Sequence, residues 1–156
     1  AIAEKVNNNV RSMGVALTSC IPPAKGDPIF EIGDDEMEVG VGIHGEPGRR
    51  RVKLASADAI ADEMVSAIAG DLETSGDALL LVNGFGGTPA MELYLMYEAA
   101  RGRLEKRGFR IQRSLVGSYV TSLEMAGCSI TVSLLDEDLA GLWDAPVHAA
   151  ALRWGM

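Results

Sequence analysis

The candidate chemistry of this chain centres on a single imidazole. His44 is one of two histidines among the 156 residues and lies in the glycine-rich stretch GVGIHGEPG (40–48). A neutral imidazole can act as a nucleophile, a base or a metal ligand. Glycine neighbours would leave bare backbone, so that a small ligand could reach the ring. The same pattern also fits a structural histidine that caps the tight HGEPG turn, and the residues by themselves leave both interpretations open.

A metal site is the weaker hypothesis for this stretch. Glu46 and the acidic run at 34–38 are close to His44 in sequence. However, no second histidine stands at a ligand spacing, and the EF-hand pattern is absent. We therefore expect no metal site, and we expect the acidic run to be a solvated turn.

Two other stretches could attract anions. NGFGGTP (83–89) follows an apolar run and precedes a predicted helix, a setting in which backbone N–H groups bind anions. It matches neither the GxGxxG nor the P-loop pattern, so we expect a tight strand-to-helix turn and no cofactor bound by this chain. The arginines at 49–51 are predicted to lie in a solvated loop.

The remaining reactive and aromatic side chains are predicted to be structural. His148 lies in the C-terminal tail, where a surface or packing role is expected. Trp143 and Trp154 are expected to anchor the core or an interface. Cys20 and Cys128 fit no CxxC pattern and are expected to be reduced, buried thiols.

Composition disfavours several classes of protein. The net charge is -8 and no basic helix is present, so nucleic acid is not an expected partner. The apolar runs are far shorter than the ~20 residues of a membrane-spanning helix, and the start of the chain lacks a signal-peptide pattern. With 47% hydrophobic and 23% charged residues, the sequence predicts a single globular domain over residues 1–156 in the cytoplasm.

A strict alternation positions the histidine. Over residues 37–44 the apolar side chains Met37, Val39, Val41 and Ile43 would share one face of a strand, and Glu38, Gly40, Gly42 and His44 would share the other. This pattern predicts a strand in which the imidazole stands beside two glycines.

Periodicity and turn residues predict the other elements. The predicted helices cover 1–12, 57–72 (capped by Ser56), Thr88 to about Gly108 (with Thr88 as N-cap and Pro89 in the first turn), and 136–143. The predicted strands cover 15–19, 37–44, 78–83, 110–117 and 128–135. Residues 118–127 could form one or two helical turns, and the tail is expected to be irregular. Since 78–116 reads as a strand–helix–strand unit with a parallel crossover, we predict a mixed β-sheet packed with helices, in the α/β (α+β) class.

Four longer stretches carry a resemblance to a known family. They are DDEMEVGVGIHGEPG, LLVNGFGGTP, SLVGSYVTSLEMAGCSITV and LWDAPVHAAALRWG, in this order along the chain. Together they resemble the dihydroxyacetone kinase family, specifically the C-terminal domain of its substrate-binding (K) subunit. The resemblance runs from about Val15 to Gly155. It implies that His44 attacks the ketone of dihydroxyacetone and holds it as a covalent hemiaminal.

The resemblance also implies what lies outside this chain. The other substrate contacts and an acid/base pair would belong to an N-terminal K domain that is absent here. ATP or ADP with Mg would be bound by a separate L subunit or domain, and the K subunit would be a homodimer. This chain would then hold the substrate without phosphorylating it by itself.

Three alternatives stay open at this point. The ketose could be erythrulose or another short ketose. The protein could be a ketone-sensing transcriptional co-regulator. His44 could also be vestigial in a domain that serves for packing or dimerisation.

Overall fold

The structure is a computed structural model that describes residues 1–42 and 48–155. His44 and Glu46 therefore lie outside the described residues, and the predictions about their surroundings are not tested by the structure. The described helices are α1 (Ile2–Asn9), α2 (Ala57–Asp71), α3 (Ala90–Lys106) and α4 (Glu137–Asp144). The described strands are β1 (Val10–Ala16), β2 (Glu36–Val39), β3 (Arg50–Lys53), β4 (Asp77–Gly84), β5 (Arg110–Gly117), β6 (Gly127–Leu134), β7 (Val147–His148) and β8 (Arg153–Trp154).

A mixed six-stranded sheet organises the chain. Its strand order is β3-β2-β1-β6-β4-β5. β4 and β5 pair in parallel, as predicted for the strand–helix–strand unit, and the other neighbours pair antiparallel. The predicted α/β class with helices packed on a mixed sheet is confirmed.

Helices α2 and α3 cover one face of this sheet. In α2 the predicted apolar stripe is confirmed, because Ile60, Met64, Ile68 and the C-cap residue Leu72 are all buried. They pack in one cluster with inward-facing strand residues such as Leu80. Spacing of three to four residues places these side chains on one side of the helix, so that burial stabilises the helix and the sheet together.

The two long helices begin differently from each other. Ser56 caps α2 as predicted, and its hydroxyl accepts a hydrogen bond from the N–H of Ala59. The prediction that Thr88 caps α3 is wrong, because Pro89 occupies the N-cap position. The Thr88 hydroxyl instead bonds both the N–H and the carbonyl of Gly127, at the start of β6.

The first predicted helix is too long. α1 ends at Asn9, and Val10 begins a strand that pairs with β6 over its whole length. The strand predicted at 15–19 therefore begins five residues earlier, at Val10, and ends at Ala16. The periodicity that predicted a helix over 1–12 is a local signal, and the ladder to β6 outweighs it because it satisfies the backbone of β1 over its whole length.

The strand predicted at 37–44 is shorter in the part that the structure describes. β2 ends at Val39, and Gly40 adopts a φ of 80°, which takes the backbone out of the extended region. The inward face is as predicted, with Met37 and Val39 buried. Glu38, expected on an open face, is also buried, and it forms an ion pair with Arg51.

The solvated loop predicted for the arginine stretch holds only for Arg49, which is exposed and lies outside any strand. Arg50 and Arg51 belong to β3, which pairs with β2 at the edge of the sheet. Their ion pairs with Glu63 and Glu38 hold this edge strand, and partner residues this far away in sequence could not be recognised from the arginine run.

Two other predictions also differ from the structure. Residues 118–126 form an irregular β5–β6 loop with no helical turn. The tail, expected to be irregular, contains the short antiparallel pair β7–β8. Within residues 1–42 and 48–155, no helix is long and apolar enough to span a membrane.

Both cysteines are free and buried, as predicted. Cys128 lies in the core beneath the helices, and burial raises the pKa of its thiol to about 12. Cys20 belongs to a small apolar cluster with Phe85, Val41 and Met125.

Replacing a central core side chain should test the packing of the sheet. We expect Leu80→Ala, at a position that is 0% exposed, to lower the free energy of unfolding by about 2–5 kcal/mol in urea denaturation. Leu95→Ala is the matched control, because Leu95 is exposed on α3 and its loss should change stability by less than about 0.5 kcal/mol. Equal effects of the two substitutions would contradict the burial described here.

The cysteines should resist modification in the folded protein. At pH 8 we expect iodoacetamide to label neither thiol, and labelling of both should follow addition of urea, as read by intact mass. For Cys128 the folded pKa lies above the unfolded value of about 8.5. Its contribution to stability is therefore complete below that pH and declines as the pH rises towards 12. Rapid labelling of the native protein would contradict this burial.

Candidate functional site

A cavity of about 450 Å³ lies beside the point where the chain enters the undescribed 43–47 stretch. Gly42, the last described residue before that stretch, lines the cavity together with Gly40 and Val41. Gly40 and Gly42 thus border an open space, whereas the predicted position of the imidazole beside them lies outside the described residues. The other lining residues are Ser12, Met13, Gly14, Leu81, Asn83, Phe85, Val120, Ser129 and Thr131.

Three adjacent strands supply polar side chains to this cavity, with hydroxyl groups on β1 and β6 and the amide of Asn83 on β4. Ser12 of β1 lies opposite Thr131 of β6, and their hydroxyl oxygens are 2.8 Å apart. Ser129 lies between Gly14 on β1 and Asn83 on β4. Because side chains alternate along a strand, these polar residues lie on the face opposite to α2 and α3. The site is therefore built on the polar face of the sheet.

A close backbone crossing fixes the approach to the histidine motif. A Cβ atom on Gly14 would lie 2.7 Å from the carbonyl oxygen of Val41 and 2.9 Å from Cζ of Phe85. The N–H of Gly40 donates to the carbonyl of Gly14 over 2.7 Å. The backbone leading into the motif thus lies directly on β1, which is possible because Gly14 has no side chain.

The far end of the motif is fixed in the same way. A Cβ atom on Gly48 would lie 2.7 Å from the carbonyl oxygen of Val39. The next residue, Arg49, donates its N–H to the same carbonyl over 2.7 Å. Both sides of the 43–47 stretch are therefore anchored to the same part of the sheet, one through Gly40 and the other through Gly48 and Arg49.

A buried amide holds one wall of the cavity. The side-chain oxygen of Asn83 accepts hydrogen bonds from the N–H groups of Tyr119 and Val120, each 2.8 Å long. Its side-chain nitrogen donates to the carbonyl of Val120, also over 2.8 Å. Sequence reasoning missed this role. The signal that could have found it is an amide at the end of the otherwise apolar run ALLLVN.

Serine and cysteine side chains meet behind this wall. The hydroxyl of Ser122 lies 3.3 Å from the sulfur of Cys20, and both residues are buried. The N–H of Ser122 donates to the carbonyl of Phe85 over 2.7 Å. These contacts attach the middle of the β5–β6 loop to the end of β4.

Arg49 differs from Arg50 and Arg51 in its ion pairing. Arg50 and Arg51 form ion pairs with Glu63 and Glu38, whereas no described residue gives Arg49 an ion pair. The Arg49 side chain packs on Gly40, where a Cβ atom would lie 2.7 Å from Cγ of Arg49. A positive charge therefore lies close to the glycines that line the cavity.

The other side chains singled out in the sequence lie elsewhere. His148 is exposed on β7, away from the cavity lining. Trp143 and Trp154 contact each other edge to face, with ring centroids 4.9 Å apart. Among the residues that the structure describes, no three side chains are grouped as a metal ion would require.

The chain is similar in sequence to one protein family and to several kinases. The Dak1 domain profile matches residues 1–151. The chain is 39% identical to the PEP-dependent dihydroxyacetone kinase, dihydroxyacetone-binding subunit DhaK of Escherichia coli (strain K12), covering 99% of this chain and 51% of that protein. It is also 39% identical to the L-erythrulose kinase of Pectobacterium atrosepticum, covering 99% of this chain and 27% of that protein.

A solved structure shares the fold. The dihydroxyacetone kinase operon co-activator Dha-DhaQ superposes with a TM-score of 0.83 at 32% identity, over 93% of this chain and 46% of that one. The chain thus spans about half the length, or less, of these relatives. Because the Dak1 profile covers nearly the whole sequence and the identity to the E. coli subunit extends over 99% of it, this chain belongs to the Dak1 domain family.

Proposed function

We propose that this chain is the part of a dihydroxyacetone kinase that holds the ketose substrate covalently on His44. The observation that carries the proposal is the anchoring of the GIHGEPG stretch. Gly40 and Gly48 fix its two sides next to a cavity whose lining includes hydroxyl groups. The relationship to proteins named as dihydroxyacetone-binding subunits supports the choice of ligand.

The proposed capture is an addition of an imidazole N–H across the ketone. The lone pair of one ring nitrogen attacks the carbonyl carbon, and a C–N bond forms as the C=O π bond breaks. The oxygen takes up a proton while the other ring nitrogen releases one, so the product is a neutral hemiaminal. The imidazole must be unprotonated to attack, and capture should therefore weaken in acidic solution.

Covalent capture would select the substrate by its chemistry. Glycerol has the same carbon skeleton but no carbonyl carbon to attack, so it cannot form the bond. A hydrophobic pocket by itself discriminates poorly between such similar molecules. The bond would also hold the substrate in one orientation, which converts part of the barrier to phosphoryl transfer into prior positioning.

We further propose that phosphoryl transfer depends on groups outside this chain. An L subunit or domain would carry ATP or ADP with Mg, which stabilises charge on the transferred phosphoryl group. An N-terminal K domain would supply the acid/base pair that handles the hydroxyl proton. We also propose that the K subunit is a homodimer and that it is located in the cytoplasm. Both proposals remain predictions.

Two related functions are favoured by specific relatives. A kinase for erythrulose is the first, since the chain is 39% identical to an L-erythrulose kinase. A ketone-sensing co-regulator is the second, since a co-activator shares the fold with a TM-score of 0.83. The same histidine capture would serve all three proteins, so substrate profiles and the presence of kinase turnover separate them.

Native mass spectrometry tests the covalent capture. In the complete natural protein we expect an adduct of one dihydroxyacetone per chain and no adduct with glycerol. His44→Ala should abolish the adduct, because it removes the attacking nitrogen. His148→Ala is the matched control, since it removes the second histidine of residues 1–156, which is exposed on β7, and should leave the adduct unchanged. An adduct that survives in His44→Ala would exclude this histidine as the site of attachment.

A kinase assay tests the division of labour. This chain alone, supplied with dihydroxyacetone and either ATP or phosphoenolpyruvate, should give no dihydroxyacetone phosphate. The expected reason is that the acid/base pair and the nucleotide site lie on other polypeptide segments. Turnover by the isolated chain would overturn this part of the proposal, and turnover after addition of the partner components would support it.

A further inference from the structure

Asn83 is a buried polar side chain near the C-terminal end of β4, between β6 and the edge strand β5. It is 3% exposed and lies on β4, with Ser129 of β6 and Gly117 of β5 as its neighbours in register. A buried amide is costly unless its donor and acceptor groups are both satisfied. Strands also disfavour asparagine, so this residue is not explained by the stability of β4 itself.

All three hydrogen bonds of the Asn83 side chain go to two consecutive residues. They are the accepted bonds from the N–H groups of Tyr119 and Val120 and the donated bond to the carbonyl of Val120. The amide therefore satisfies the backbone of an irregular segment, much as a neighbouring strand would. Its effect is to fix the start of the β5–β6 loop at one distance from the sheet.

Packing does not fix this segment independently. Val120 lines the cavity, yet its side chain is 53% exposed, so burial contributes little to its position. Tyr119 is half-buried and packs on Gly117, where a Cβ atom would lie 2.9 Å from the ring. The Val120 wall is thus held directly by Asn83 and, two residues further along the loop, by the hydrogen bond from Ser122 to the carbonyl of Phe85.

The other end of the same loop is held separately. The hydroxyl of Thr18 accepts a hydrogen bond from the N–H of Ala126, and the hydroxyl of Thr88 bonds the backbone of Gly127. Neither Ala126 nor Gly127 lines the cavity. The described loop is therefore held by Asn83 at Val120, by Phe85 at Ser122, and by Thr18 and Thr88 at its far end. The bonds to Val120 can be removed without removing those at the far end.

We propose that Asn83 is a positioning residue that determines which ketose the site accepts. By fixing Val120, its amide sets the space between that wall and the glycines at 40 and 42, and so the length of ketose that the cavity admits. The inference rests on the proposed function, because it concerns the same site. It assigns Asn83 no contact with the reacting atoms.

Two substitutions alter the anchor to different extents. Asn83→Asp keeps an acceptor for the two N–H groups but places an oxygen against the carbonyl of Val120. Asn83→Leu removes all three bonds at similar volume. Thr18→Val is the matched control, because it removes an anchor of the same loop away from the cavity.

The test is steady-state kinetics of the complete kinase with its partner components, using dihydroxyacetone and erythrulose. For Asn83→Asp we expect the KM for dihydroxyacetone to rise about tenfold while kcat changes less than about twofold. The ratio of kcat/KM for erythrulose to that for dihydroxyacetone should rise, since a displaced wall admits the longer ketose. Thr18→Val should lower the melting temperature without changing KM or this ratio.

Amide hydrogen exchange gives a readout that does not require a ligand. In Asn83→Leu the N–H groups of Tyr119 and Val120 should lose protection, while that of Ala126 keeps it. An unchanged KM and substrate ratio in Asn83→Asp, with wild-type turnover intact, would overturn the inference and leave the proposed function standing. A wild-type protein that binds and phosphorylates no ketose would overturn the proposed function and the specificity role with it, whereas the exchange data would still report whether Asn83 holds the loop.

Discussion

The crossing of Val41 over Gly14 is the constraint on which the site depends. With 2.7 Å between the Val41 carbonyl oxygen and the place of a Gly14 Cβ, any side chain on β1 at this position would displace the backbone that leads into the histidine motif. The hydrogen bond from Gly40 to Gly14 uses the same absence of a side chain. Contacts that hold the described residues on both sides of the 43–47 stretch are consistent with the covalent capture proposed for His44, which requires prior positioning.

The two faces of the sheet have different roles, because one carries the apolar core and the other carries the polar side chains of the cavity. Helices α2 and α3 bury one face in an apolar cluster that reaches from Met13 to Val132, and this burial provides most of the driving force for folding. The opposite face has serine, threonine and asparagine side chains where β1, β6 and β4 adjoin. Polar groups on that face are tolerated because the other face already supplies the core.

Local patterns predicted those elements whose stability is largely local. Helix α2, its Ser56 cap and its buried stripe follow from spacing within 16 residues. The parallel pair β4–β5 follows from the strand–helix–strand order. The errors occur where distant pairing decides the outcome. Val10 joins a strand because β6, more than 115 residues later, is its partner, and Arg50 joins an edge strand because β2 is available.

The sequence by itself determined that His44 lies in a glycine-rich motif, that the cysteines would be buried thiols, and that the chain resembles the family to which it belongs. It determined these because residue type and short spacing are properties of the chain. Only the tertiary structure decided that Gly14 is the surface on which Val41 rests and that Asn83 holds Val120. Both facts depend on segments about 25 to 40 residues apart in sequence that come into contact only when the sheet forms. Periodicity in the sequence cannot predict contacts between such distant segments.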